Sequence, residues 1–123
     1  MTSIFSANNE LALHVPDPAA AERFYTETLG CVVTDRTPDC ISLRNGALRL
    51  YLLRDPVRTH DAVIPSFDVA DRAAALTQLQ VAGCTLVPIG PHAPDGYYVR
   101  DPYGVIFDLI ERLPPDPAHE SRS

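Results

Sequence analysis

The feature that most constrains the fold of this chain is an internal repeat. Residues 15–33, VPDPAAAERFYTETLGCVV, resemble residues 69–87, VADRAAALTQLQVAGCTLV. Each segment contains Val-x-Asp, an alanine-rich stretch with helical character, a Gly-Cys pair and an apolar strand. The first alanine-rich stretch is one residue longer than the second. The repeat predicts two copies of one structural module.

The ends of both predicted helices carry the expected local signals. Asp17 and Asp71 are typical N-cap residues, because an aspartate side chain accepts hydrogen bonds from free amides of the first turn. Pro18 suits the first helical position. Gly30 and Gly83 can end their helices in the left-handed conformation. The repeat therefore predicts where both helices begin and end.

Extended segments surround both helices in the same order. One strand precedes each helix: LALHV in the first module and IPSFDV in the second. Two further strands follow the Gly-Cys strand, and they are CISLR and LRLYLL in the first module and GYYVR and VIFDLI in the second. The turns RNG and DPYG join the last two strands of each set. We expect an α+β fold of two βαβββ modules, at residues 8–55 and 61–112, within one domain of residues 1–113. Residues 114–123, rich in proline and polar groups, are expected to form a flexible tail.

Composition places the chain among ordinary globular proteins. Its 123 residues suit one domain with a real core, and its net charge of −6 argues against a nucleic-acid partner. No apolar run approaches the roughly 18 residues of a membrane span, and MTSIFSANNE does not resemble a signal peptide, so we expect a cytoplasmic protein and no membrane partner. Cys31, Cys40 and Cys84 lie in no metal-type spacing and are expected to be reduced.

Two motifs in this repeat resemble those of the vicinal oxygen chelate superfamily. VPDPAAAERFYTETLG is similar to its V-x-D-x(5–6)-FY-x(3)-LG signature, and DPYGVIFDLIE to its D-P-x-G-x(3)-E-L-x-E signature. The superfamily includes glyoxalase I, extradiol dioxygenases, methylmalonyl-CoA epimerase and bleomycin resistance proteins. The resemblance covers residues 10–112. It implies a curved mixed sheet of eight strands around an open cleft, and a homodimer.

The resemblance also marks four positions where metal-using members place their ligands. They hold Glu10, Tyr51, Ile64 and Asp108, where glyoxalase-like enzymes have His or Gln, Glu, His and Glu. Isoleucine cannot bind a metal, and tyrosine keeps its proton up to a pKa near 10. A catalytic divalent site generally wants three protein ligands. We therefore expect no cofactor. The alternative is a divalent ion (Mn, Fe, Ni or Zn) bound by Glu10 and Asp108, with His14 as a further candidate.

Other polar residues are predicted to face the same cleft. His14 and Asp68 occupy equivalent positions of the two modules, and a pair between them would orient the imidazole as a catalytic acid or base. Arg49 shares a strand face with Tyr51 and could neutralise Asp108. His60 and His92 fall in loops and are expected to be exposed. The predicted ligand-binding set comprises Glu10, His14, Arg49, Tyr51, Ser66, Asp68, Tyr98 and Asp108.

Two functions fit these residues. One is a metal-independent protein that binds a small molecule, resembling the bleomycin-resistance branch, which sequesters an antibiotic or metabolite. Acidic cleft walls and tyrosines would favour a planar cationic ligand. The alternative is an enzyme of the same superfamily, a glyoxalase-like lyase, an epimerase or a dioxygenase. It would use Glu10 and Asp108 as metal ligands, or the His14–Asp68 pair with Tyr51 or Arg49 stabilising an oxyanion.

Overall fold

The computed structural model describes residues 4–57, 59–91 and 93–112, and the predicted α+β fold of two βαβββ modules is confirmed. The elements of the first module are β1 (Ser6–Val15), α1 (Pro18–Arg23) continued by a π-helical segment (Phe24–Thr28), β2 (Val32–Arg36), β3 (Cys40–Asn45) and β4 (Leu48–Arg54). Those of the second are β5 (Val63–Val69), α2 (Arg72–Val81), β6 (Thr85–Gly90), β7 (Ala93–Arg100) and β8 (Ile106–Glu111). The predicted tail, residues 114–123, lies outside the described residues.

Both helices begin at the predicted aspartates. Asp17 Oδ1 accepts a hydrogen bond from the amide of Ala19 at 3.1 Å, and Asp71 Oδ1 accepts one from the amide of Ala74 at 3.0 Å. The glycine that follows each helix has a positive φ, 76° in the first module and 102° in the second. These signals work through neighbouring backbone groups, which is why the sequence pattern located them.

The π-helical segment accounts for the extra residue of the first helix. Here the Leu29 amide donates to the Phe24 carbonyl, five residues back, at 3.4 Å. Such a segment inserts one residue while the helix keeps its start and its end. Tyr25 packs against the core of its module, whereas Phe24 is 52% exposed and contacts Tyr25 edge to face. Of this aromatic pair, only Tyr25 therefore packs against the core.

One sheet of eight strands joins the two modules, in the order β2-β3-β4-β1-β5-β8-β7-β6. β1 and β5 are antiparallel at its centre, while β1 pairs with β4 and β5 with β8 in parallel. Ala12 lies opposite Tyr51 on β4, and Ser66 lies opposite Asp108 on β8. Tyr51 and Asp108 therefore occupy equivalent positions in the two modules.

The helices cover one face of this sheet and leave the other for a site. Leu50 and Leu52 pack with residues of the first helix, and Leu109 packs with Ala75 and Leu76 of α2. Side chains alternate across a strand, so Tyr51 and Asp108 point to the opposite face. No helix among the described residues is long and apolar enough to cross a membrane.

Candidate functional site

The face opposite the helices forms a central cleft of about 410 Å³. Both modules line it, since it lies over the β4-β1-β5-β8 part of the sheet and is bounded by β3, β6 and β7. Most of the residues that line it are apolar, and a few polar side chains lie among them. The lining residues are Glu10, Ala12, Cys40, Tyr51, Leu53, Ile64, Ser66, Ile89, Ala93, Tyr98, Asp108, Ile110 and Arg112.

Arg112 joins the two acids at one end of the central cleft. Its Nη1 lies 2.6 Å from Oε2 of Glu10, and 3.1 and 3.3 Å from the two carboxylate oxygens of Asp68. Glu10 is buried, with 7% of its surface exposed. The hydrogen bond to Glu10 holds the pKa of Arg112 above its ordinary value, so the guanidinium keeps its charge. We call these three residues the Arg112 cluster.

Asp108 projects into the central cleft from the middle of β8. Its Oδ1 accepts a hydrogen bond from the Leu109 amide at 2.9 Å. Burial raises the pKa of Asp108, and the Leu109 amide and the charge of Arg72 only partly oppose this. Among the described residues, no cation lies within ion-pair distance of its carboxylate. Asp108 is therefore an acid whose charged form the protein stabilises poorly.

Tyr51 and Ser66 also lie where the strand pattern placed them. Tyr51 lines the cleft next to the Arg112 cluster; burial and then the charge of Glu10 raise the pKa of its hydroxyl. Ser66 lies opposite Asp108 in the sheet, and its Oγ accepts a hydrogen bond from Asn8 Nδ2 at 3.0 Å. Both side chains are available as ligand contacts.

His14 does not pair with Asp68, so that predicted pair is wrong. His14 is 1% exposed; its Nε2 lies 2.8 Å from the Tyr98 hydroxyl and its Nδ1 lies 3.3 Å from Oδ2 of Asp55. Asp68 instead bonds Arg112 and Asn8. The reason is strand direction: β1 and β5 are antiparallel, so equivalent positions near their carboxyl ends lie at opposite ends of the cleft.

A buried polar cluster of His14, Asp55, His60 and Tyr98 lies beneath the other end of the cleft. Asp55 accepts hydrogen bonds from the amides of Thr59 and His60 at 3.0 and 3.1 Å. Burial alone would raise the pKa of Asp55, but these amides and the neighbouring His14 lower it below its ordinary value. Burial also raises the pKa of Tyr98 far above normal, so its hydroxyl keeps the proton.

His60 is buried, contrary to the expectation of an exposed loop residue. Its Nε2 bonds the Ile89 carbonyl oxygen at 2.6 Å, and its ring lies 5.0 Å from that of His14 and 5.2 Å from that of Tyr98. The loop folds inward because Asp55 accepts the amides of Thr59 and His60. His92 lies outside the described residues.

Arg49 lies beside the central cleft and does not neutralise Asp108. It is exposed in a neighbouring groove with Asp35, Ser42 and Arg44. The position follows from the pairing, because β1 and β5 separate β4, which carries Arg49, from β8, which carries Asp108. Among the described residues, Arg72 and Arg112 are the cations whose charges lower the pKa of Asp108.

The sequence patterns missed three polar residues of the site: Arg112, Asp55 and Cys40. Asp55 and Arg112 follow the last strands of their modules, and their amides donate to Val15 and Val69, each at 2.8 Å. Extending the repeat by one residue past β4 and β8 would have found both. Cys40 lines the cleft at the start of β3, and burial raises the pKa of its thiol.

The residues present do not fit a divalent metal centre. The carboxylate of Glu10 is already bonded to a guanidinium, Ile64 has no donor atom, and Tyr51 holds its proton. In the described part of the chain, no group of three His, Cys, Asp or Glu side chains is arranged to hold a metal ion. A divalent site generally needs three such ligands, and the described residues do not supply them.

Fold and site together define a class: two βαβββ modules that share one sheet and enclose a cleft between them. The model of the Glyoxalase/Bleomycin resistance protein/Dioxygenase superfamily matches residues 8–109. The chain belongs to this superfamily, the one that the two sequence motifs indicated. A search among curated proteins gives no match.

Solved structures with the same fold include methylmalonyl-CoA epimerase from Mycobacterium tuberculosis, at a TM-score of 0.66 and 17% identity, covering 100% of this chain and 96% of the other. A variant of the Streptomyces coelicolor methylmalonyl-CoA epimerase in complex with 2-nitronate-propionyl-CoA has a TM-score of 0.66 and 17% identity. The match covers 89% of this chain and 99% of the other. A superfamily member from Vibrio splendidus 12B01 has a TM-score of 0.61 and 17% identity. The match covers 88% of this chain and 97% of the other. At these identities the likeness shows the fold and no more.

Proposed function

We propose that this chain is a metal-independent binding protein that sequesters a small organic molecule, an antibiotic or other metabolite, in its central cleft. The observation that carries the proposal is the cleft itself: about 410 Å³, mostly apolar walls, and a few convergent polar groups. Cavities of roughly 300–1,000 Å³ with this kind of lining are typical of small-molecule sites. The absence of a fitting set of metal ligands among the described residues supports binding without a metal.

Asp108 supports a ligand that carries a basic nitrogen. Glu10 and Asp68 share Arg112, whereas the described residues offer Asp108 no ion-pair partner. A cation in the cleft would stabilise the ionised form of Asp108, and the rings of Tyr51 and Tyr98 could contact a planar body. We therefore expect a planar organic cation. This expectation is narrower than that of acidic walls in general, because two of the three acids already have a cationic partner.

Three probes with one aromatic body and different charges test this proposal. They are 2-naphthylmethylamine (cation), 2-naphthalenemethanol (neutral) and 2-naphthoate (anion), and binding is measured by thermal shift and by ligand-observed NMR. We expect the cation to stabilise the fold most, since only it compensates Asp108. Asp108→Asn should abolish the preference for the cation and leave binding of the neutral probe. Asp61→Asn, at an exposed loop acid, is the matched control.

The outcomes separate two parts of the proposal. A preference for the neutral or anionic probe would contradict a cationic ligand while leaving binding in the cleft intact. Failure of all three probes to bind at millimolar concentration would contradict small-molecule binding in this cleft. We also expect a homodimer, which sedimentation velocity of the full chain would test.

A second candidate, an acid–base enzyme, is favoured by the buried polar cluster. Asp55, His14 and Tyr98 form a chain of contacts of 3.3 and 2.8 Å that ends at a residue of the cleft lining. The Asp55 carboxylate favours the proton on Nδ1, which leaves Nε2 to accept from the Tyr98 hydroxyl. Tyr98 could then take a proton from a substrate while passing its own to His14, and Asp108 could supply a proton elsewhere.

Solvent-deuterium exchange distinguishes the enzyme from the binding protein. Methylmalonyl-CoA is a suitable first probe, because structures with this fold include methylmalonyl-CoA epimerases. Exchange above the buffer rate that His14→Gln and Tyr98→Phe abolish, and Tyr97→Phe preserves, would favour the enzyme. Exchange at the buffer rate in the wild type would remove this support and leave sequestration as the better account.

A further inference from the structure

A guanidinium nitrogen lies between the carboxylates of Glu10 and Asp68. Nη1 of Arg112 lies 2.6 Å from Oε2 of Glu10, and the same nitrogen lies within 3.3 Å of both carboxylate oxygens of Asp68. One nitrogen atom thus serves two carboxylates. A single cation between two acids is also how a divalent ion joins carboxylate ligands.

Glu10 needs a cation for its own stability. Its side chain is 8% exposed, and an ionised carboxylate buried without a partner is costly. Asp68, which is about a quarter exposed, adds a second negative charge near the same nitrogen. If the guanidinium were removed, the two acids would repel each other and would attract another cation.

The fold fixes the guanidinium in this place. Arg112 directly follows β8, and its amide donates to the Val69 carbonyl at 2.8 Å. Glu10 comes from β1 of the first module, whereas Asp68 and Arg112 come from the second. The ion pair therefore spans the two modules and is held by backbone pairing on both sides.

We propose that Arg112 is the resident cation of the central cleft, which takes the place of a divalent ion at Glu10 and thereby excludes metal. This inference goes beyond the proposed function, because it assigns the metal independence of the cleft to one side chain. Removal of the guanidinium should convert Glu10 and Asp68 into a carboxylate site for a hard divalent ion, whose other ligands would be water.

Manganese alone is the probe, since Mn²⁺ prefers carboxylate oxygen and its binding is read directly by electron paramagnetic resonance. We expect wild-type protein to leave the signal of free Mn²⁺ unchanged. Arg112→Met should bind one ion per chain, and about 1 mM Mn²⁺ should raise its melting temperature by about 5 °C. Arg112→Lys keeps the charge and should exclude the ion. Arg100→Met, at an exposed arginine outside the cleft, is the matched control.

Each outcome decides a separate point. If Arg112→Met ignores Mn²⁺ as the wild type does, the inference is overturned and the metal-independent binding protein stands. If the wild type itself binds Mn²⁺ in the cleft, both proposals are overturned.

Loss of Arg112 could also prevent folding, and the test then changes form. Recovery of the folded signal of Arg112→Met by Mn²⁺ would support the inference, and failure to recover it would overturn it. The double variant Glu10→Gln/Arg112→Met should fold without metal and bind none, because the buried charge that demands a cation is gone.

Discussion

At the scale of single residues, Asp55 anchors the polar groups beneath the cleft. Its carboxylate accepts two backbone amides, lies 3.3 Å from His14 and is almost fully buried. These interactions stabilise the ionised form more than burial disfavours it, so the pKa of Asp55 is lowered. Asp55 therefore positions both the loop that carries His60 and the ring of His14.

Asp55→Asn should destabilise the fold by about 2 kcal/mol at pH 7, because two hydrogen bonds to a charged acceptor are weakened. Since the folded-state pKa lies below the ordinary value of 3.8, this stabilisation is present above that value and is lost as pH falls through the folded pKa. Urea unfolding at neutral and acidic pH measures the difference. A difference in the free energy of unfolding between wild type and variant that stays constant down to the lowest pH would contradict this role.

Asp108 is expected to have the opposite effect on stability. Burial raises its folded-state pKa, so the stabilisation of the protonated acid is full below the unfolded pKa and is lost as pH rises through the folded pKa. Asp108→Asn should therefore stabilise the fold by about 1 kcal/mol at pH 7. The gain should disappear at acidic pH, as equilibrium unfolding would reveal. A loss of stability at pH 7 would mean that the charged carboxylate has a stabilising partner.

At the scale of elements, the two helices depend on their N-caps. Asp71→Ala removes the acceptor for the Ala74 amide and should cost about 1 kcal/mol, whereas Asp71→Asn keeps an acceptor and should cost less. The parallel pair Asp17→Ala and Asp17→Asn applies the same test to the first helix. Urea denaturation measures all four variants. Equal losses for alanine and asparagine would contradict the capping role.

Much of the element structure could be predicted because its signals are local. Val-x-Asp, the alanine-rich stretch and Gly-Cys recur in both halves, and each acts on backbone groups within a few residues. The extra residue of the first helix was visible as a difference in length. Its location at the π-helical segment was not, because a count of residues does not say which turn widens.

The residues of the candidate site could be predicted only where the alternation of side chains along one strand decides which face of the sheet they lie on. Tyr51, Ser66 and Asp108 line the cleft as the period of two requires. The predicted His14–Asp68 pair was wrong because the direction of β1 relative to β5 is set by long-range strand pairing, which the local pattern does not contain. The prediction that His60 is exposed was wrong for a similar reason, since its burial depends on the carboxylate of Asp55, which lies outside the loop pattern.

At the scale of the whole molecule, one continuous sheet joins the two modules, so we expect them to unfold as a single cooperative unit. Leu52 and Leu109 occupy equivalent buried positions on β4 and β8. Leu52→Ala and Leu109→Ala should each cost about 3 kcal/mol and should shift one shared unfolding transition. Far-UV circular dichroism and tyrosine fluorescence should give the same midpoint. Two separate transitions in either variant would show that the modules unfold independently.

The two modules carry an acid and its basic partner in reversed order at matching positions. Where the first has His14 followed by Asp55 after its last strand, the second has Asp68 followed by Arg112. The backbone is close to twofold symmetric, but its electrostatics are not, and this gives the cleft a direction. A buried imidazole lies at one end, and a half-exposed guanidinium lies at the other. An elongated ligand turned end for end would meet different chemistry, so the cleft can distinguish head from tail in a molecule of matching length.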